Sequence, residues 1–134
     1  MENSSVRNEP RWYSDLLRSH AMIKRAKNLE EHYNSQLSQP KYPVEIHAVR
    51  AGEIVFATNP FELYLDFGTR IKARSPAIQT FLVQLAGSGT YLPASRSVAG
   101  GAYGAVPASN TVGPEGGQEL VESTLDLINS LWDK

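Results

Sequence analysis

A chain of 134 residues is long enough for one domain with a true core, since roughly two-thirds of the unfolded surface of such a chain is buried on folding. Its 41% hydrophobic and 20% charged content is that of a soluble globular protein, and 13 basic against 14 acidic side chains exclude the clustered positive charge of a nucleic-acid-binding domain. The absence of cysteine excludes disulfides, thiol catalysis and thiolate zinc sites, and no apolar run approaches the roughly 20 residues of a membrane helix.

Residues 1–9 are polar and without period, and read as a frayed tail with no apolar signal core. With no cysteine and no membrane span, the expected location is the cytoplasm. Residues 10–43 read as a helix and a linker. Pro10 suits a first helical turn, and Trp12, Leu16, Ile23 and Ala26 recur at helical spacing to about Leu37. Lys24, Arg25 and Lys27, with Glu30 and Glu31 nearby, form a solvated face. The stretch 38–43 contains two prolines and breaks the helix.

Residues 44–49 alternate apolar and polar side chains, as a half-buried strand does. A turn at Ala51-Gly52-Glu53 leads to a second strand at 54–57, so a hairpin is expected. Asn59-Pro60 reads as a helix start, with Phe61, Tyr64, Leu65 and Ile71 along one stripe to about Ala73. Ser75-Pro76 ends that helix. The apolar run 80–85 reads as a buried strand, which makes a strand–helix–strand crossover. Residues 86–117 carry eight glycines together with Tyr91 and Tyr103, and read as a long ordered loop. A last amphipathic helix is expected over about 115–132, with Leu120, Val121, Leu125, Ile128, Leu131 and Trp132 on one side. The predicted fold is α/β: one domain with a small mixed sheet of about three to five strands, packed by three helices.

From Val44 onward the order of parts resembles the C-terminal portion of the catalytic domain of the neutral/alkaline non-lysosomal ceramidases and their bacterial relatives. Those parts are the strand pair ending in Ala57-Thr58-Asn59-Pro60-Phe61-Glu62-Leu63, the strand 80–85, and the Gly89-Thr90-Tyr91-Leu92-Pro93 loop. Gly100-Gly101-Ala102-Tyr103 and Gly113-Pro114 follow, the latter opening the last helix. The resemblance implies a zinc amidohydrolase acting on N-acyl sphingoid bases. It implies Glu62 and Tyr91 as metal ligands and Tyr103, 12 residues after Tyr91, as a catalytic residue near the reacting carbonyl. Phe61 stands where the family motif has glycine, and Pro93-Ala94 where it has a polar pair. The two histidine ligands and the nucleophilic serine of that family come from earlier sequence, so the expectation is a fragment inactive alone, not retaining zinc.

Each residue also has a plainer reading. Glu62 complements a helix dipole, Tyr91 packs with its hydroxyl bonded, and Tyr103 covers an apolar patch. His20 and His32 lie 12 residues apart on the first helix, too far for one metal, and His47 lies on a strand. Two other functions follow from these readings. One is a non-catalytic interaction domain that forms a homo-oligomer, or pairs with a complementary polypeptide, through the surface exposed by the missing part. The other is a small-ligand binder using the glycine-rich loop around Tyr91 and Tyr103.

Overall fold

A computed structural model describes residues 12–132; the tail expected at residues 1–9 and the helical role of Pro10 lie outside the described residues. The chain divides into two compact units, Met1–Pro40 and Lys41–Lys134.

In the first unit, helix α1 runs over Trp12–Ser38, 27 residues that contain neither glycine nor proline. Three serines hydrogen-bond back to their own helix, among them the Ser19 hydroxyl, which donates to the Asp15 carbonyl at 2.8 Å. The last turn closes with the Gln39 N–H on the Ser35 carbonyl, and Pro40 prevents continuation. Leu16, Ile23, Tyr33 and Leu37 are all exposed.

The second unit begins with the hairpin. Strand β1 (His47–Ala51) pairs antiparallel with β2 (Ile54–Thr58), and Gly52 at φ +63° makes the turn. Strand β3 (Glu62–Leu63) and helix α2 (Leu65–Arg74) lead to β4 (Gln79–Val83), which lies parallel to β2. The sheet order is therefore β1-β2-β4, mixed as expected. Residues 86–113 are ordered and contain three short elements: strand β5 (Tyr91–Leu92), helix α3 (Ser95–Ala99) and a 3-10 turn at Tyr103–Ala105. Strand β5 pairs parallel with β3 in a second, two-stranded sheet. Helix α4 (Pro114–Asn129) closes the unit. Among the described residues no helix is long and apolar enough to cross a membrane.

Helices α2 and α4 pack on each other and on one face of the three-stranded sheet. Val55 and Ala57 of β2 point into that layer and meet Phe67 and Ile71 of α2 and Val121, Leu125 and Ile128 of α4. Burying each large apolar side chain contributes roughly 1.5–3 kcal/mol, so this layer dominates the stability of the unit. Period-two alternation puts Phe56 and Phe81 on the other face, where their rings stack at 4.9 Å and stay 38% and 43% exposed. Arg74 grips both Glu122 oxygens at 2.7 Å across α2 and α4, and this holds the Glu122 carboxyl below its usual range. The pair is solvent-exposed, so it fixes register more than it adds stability.

The structure corrects the sequence reading at four places. The first strand begins at His47, not Val44. The fourth helix, α3, is a single turn inside the glycine-rich stretch. Leu65 faces solvent at 76% exposure and does not continue an apolar stripe. The most consequential correction is that Asn59-Pro60 does not open a helix. The buried Asn59 side chain accepts the Phe61 N–H at 3.0 Å, a turn closed on its own backbone. Its N–H donates to the Val83 carbonyl and its carbonyl accepts the Ala86 N–H. The next backbone groups pair with the loop, Glu62 N–H to Thr90 and Tyr64 N–H to Leu92. Helix α2 starts only at Leu65, so Glu62 sits on a strand and not in the first turn of a helix.

Candidate functional site

Glu62 and Tyr91, 29 positions apart in the chain, are direct register partners across β3 and β5. Side chains opposite each other in such a pair leave the same face of the ribbon, with strands about 4.8 Å apart. The Glu62 carboxylate lies close enough to the Tyr91 phenol to act on its ionisation. The negative charge of Glu62 is the chief reason the Tyr91 phenol ionises above its ordinary value. Loss of solvent, polar contact with the same carboxylate, and the neighbouring Tyr103 and Tyr64 push the same way.

Tyr103 meets Tyr91 edge to face, ring centres 5.8 Å apart and planes at 88°. This is a favoured aromatic geometry. All three residues inferred from the resemblance therefore stand in one cluster. Glu62 and Tyr103 are exposed, and Tyr91 is half-buried.

The cluster is built by close backbone approaches. A Cβ at Gly89 would lie 1.7 Å from the Pro60 carbonyl oxygen, so only glycine lets the loop reach β3 there. A Cβ at Gly104 would lie 2.6 Å from the Tyr91 ring and 2.9 Å from the Tyr64 hydroxyl. The Asn110 amide donates to the carbonyls of Gly104 at 3.2 Å and Val106 at 2.9 Å, which pins the turn that carries Tyr103. The Tyr91 N–H donates to the Ser109 carbonyl, and the Thr90 hydroxyl accepts the Thr111 N–H at 3.0 Å.

Tyr64 and Asn110 were missed by sequence reasoning. A strand reading of 62–64 was the available signal for Tyr64, because residues two apart on extended chain share a face. Asn110 had no local signal; its partners are fixed by the path of the loop.

The carboxylate and the phenol are two oxygen donors carried at paired positions of β3 and β5. The donor set stops there. Among the described residues no group of three or more His, Cys, Asp or Glu side chains comes together. His47 pairs with Glu45 at 3.2 Å, and His20 and His32 belong to α1 in the other unit. Among the described residues, Glu62 and Tyr91 offer two oxygen donors where a zinc site needs three or more protein ligands. An open cleft of about 420 Å³ between α2, α3 and the start of α4 contains none of the three residues. Its Arg96 is neutralised by Asp66 at 2.8 Å.

No family model, curated protein or solved structure matches the chain.

Proposed function

We propose that the second unit supplies one half of a metal-dependent amidase site of the neutral-ceramidase type, with lipid amides as the substrate class. Glu62 and Tyr91 are two of its metal ligands, and Tyr103 is a hydrogen-bond donor to the reacting carbonyl oxygen. The observation that carries this reading is the register pairing of Glu62 with Tyr91, with Tyr103 edge-on to the second. Three residues drawn from distant motifs of one resemblance fall into one exposed cluster. A zinc ion bound there supplies Lewis acidity toward the amide carbonyl. The chain's own part is to hold the carboxylate and phenol together on a rigid ribbon, and to present the Tyr103 hydroxyl where negative charge develops. Histidine ligands and a nucleophile come from other polypeptide, and the chain alone does not turn over substrate.

Zinc content by elemental mass spectrometry, read beside a tyrosine ultraviolet titration, tests this. Zinc that binds the pair must displace the phenolic proton, so it draws one tyrosine ionisation to lower pH. The expected result is such a shift in the wild-type protein and none in Glu62→Ala. No bound zinc and no shift in either protein would reduce the pair to a structural contact.

A second reading, a non-catalytic association domain, is favoured by the uncovered face of the three-stranded sheet. Parallel pairs such as β2–β4 are normally covered on both faces. Here Val49, Phe56, Phe81 and Val83 remain exposed on one of them.

A further inference from the structure

The cluster at the joint of β3 and β5 presents ring faces as well as oxygen atoms. The rings of Tyr91 and Tyr103 stand at 88° with centres 5.8 Å apart. A cation lodged in the angle of such a pair lies within about 6 Å of both centres, the range over which the negative face of an aromatic ring attracts it. Tyr103 is 64% exposed and Tyr91 half-buried, so one ring is anchored in the protein and the other stands toward solvent. Tyr64 adds a third phenol: its hydroxyl and the Tyr91 ring both border the space where a Cβ at Gly104 would stand. Glu62, opposite Tyr91 in register, supplies a full negative charge. It is exposed, and among the described residues no Lys, Arg or His reaches it as an ion pair. The groups that act on the Tyr91 phenol are Glu62, Tyr103 and Tyr64, none of them a cation.

We propose that this cluster is an aromatic cage for a methylated ammonium group of the kind choline carries, with Tyr91 and Tyr103 as its walls and Glu62 as its counter-charge. The chemistry of the cluster selects that cation. Zinc needs three or more protein ligands, which the Glu62–Tyr91 pair alone does not supply. A quaternary ammonium has no coordination shell to complete, and its methyl groups pack directly on ring faces. A lysine-type ammonium is compact and strongly hydrated, and its N–H donors find no partners on two ring faces. The walls are set before any ligand arrives. Asn110 pins the turn that carries Tyr103, and Gly89 lets the loop lie against β3, so little freedom is lost on binding. The cage does not depend on the zinc reading: it needs ring faces and a charge, where the amidase site needs the phenol oxygens.

Saturation-transfer NMR on the zinc-free full-length protein tests this through the N-methyl resonance of choline. Choline and tetramethylammonium should bind. The uncharged isostere of choline, with carbon in place of the ammonium nitrogen, should bind at least about fivefold more weakly, the worth of one exposed cation–ring contact. Tyr103→Leu should weaken choline by a similar factor, about fivefold, and Glu62→Gln should weaken it as well. Tyr103→Phe keeps the ring face and removes the hydroxyl, so choline should bind it as it binds the wild type. That variant separates the cage from the amidase site, where the hydroxyl is the working group. Sedimentation with phosphatidylcholine vesicles that choline displaces would put the group on a lipid headgroup; choline binding without vesicle binding would put it on a free small molecule. Equal binding of the isostere, undiminished binding to Tyr103→Leu, or vesicle binding that choline does not displace would overturn the cage. So would no choline binding at all, whatever the zinc titration gives. Choline binding to a protein that takes up no zinc would leave the cage standing and the metal reading lost.

Discussion

The Tyr91 phenol carries its proton to higher pH than an ordinary tyrosine because a carboxylate sits beside it. A group whose pKa is raised by folding contributes stability that is fully present below the unfolded value. That contribution is lost as pH rises through the folded value. For Tyr91 the loss therefore begins above about pH 10. Glu62→Gln removes the charge and keeps the shape. In a 295 nm titration, the tyrosine that ionises last in the wild-type protein should ionise at lower pH in this variant. Unchanged curves would mean that Glu62 does not govern Tyr91. Glu62 and Tyr91 were marked in the sequence by their place in a resemblance, since neither a lone glutamate nor a loop tyrosine is distinctive. What the sequence did not carry was their pairing, which depends on Gly89 letting one backbone lie against another.

Elements with a long period were read correctly, and short ones were not. Helix α1 and the hairpin of β1 and β2 came close to their observed bounds, because many residues repeat one pattern. Strands β3 and β5 have two residues each, too few to show alternation. Asn59-Pro60 fits both a helix cap and a side-chain turn. The carbonyl of Val83 and the N–H of Ala86, distant in sequence, decide for the turn. Helix α4 offers a test where local and tertiary effects oppose each other. Alanine at Gly117 should favour the helix by up to about 1 kcal/mol. Its Cβ would stand 2.2 Å from the buried Phe67 ring, however, and overpacking of that kind costs typically 1–3 kcal/mol. Chemical denaturation of Gly117→Ala should show net destabilisation. A gain in stability would mean that Phe67 has room to move.

At the scale of the molecule, every residue of the buried apolar cluster lies in the second unit. A chain starting at Lys41 should therefore keep a cooperative thermal transition close to that of the whole protein, followed by near-ultraviolet circular dichroism. A broad transition without cooperativity would show that α1 is part of the folding unit. The α/β character, the hairpin and the parallel crossover were legible because they follow from the order of strands and helices. The break near Pro40 was legible from the prolines of 38–43, whereas the confinement of the buried cluster to the residues after it was not, because that reflects which side chains meet and not which patterns occur.

Arg50 at the end of β1 donates to the Gly52 and Leu131 carbonyls at 2.7 and 2.8 Å, and its guanidinium lies 4.0 Å over the Trp132 ring. The Leu131 contact spans 81 positions. At a synthesis rate of about 5–20 residues per second, the hairpin waits on the order of ten seconds for the helix that covers it. During that interval Val55 and Ala57 have no α4 to pack against. Slowing translation after residue 58 lengthens that exposure and should raise the fraction lost to aggregation, read as the soluble yield of the full-length chain.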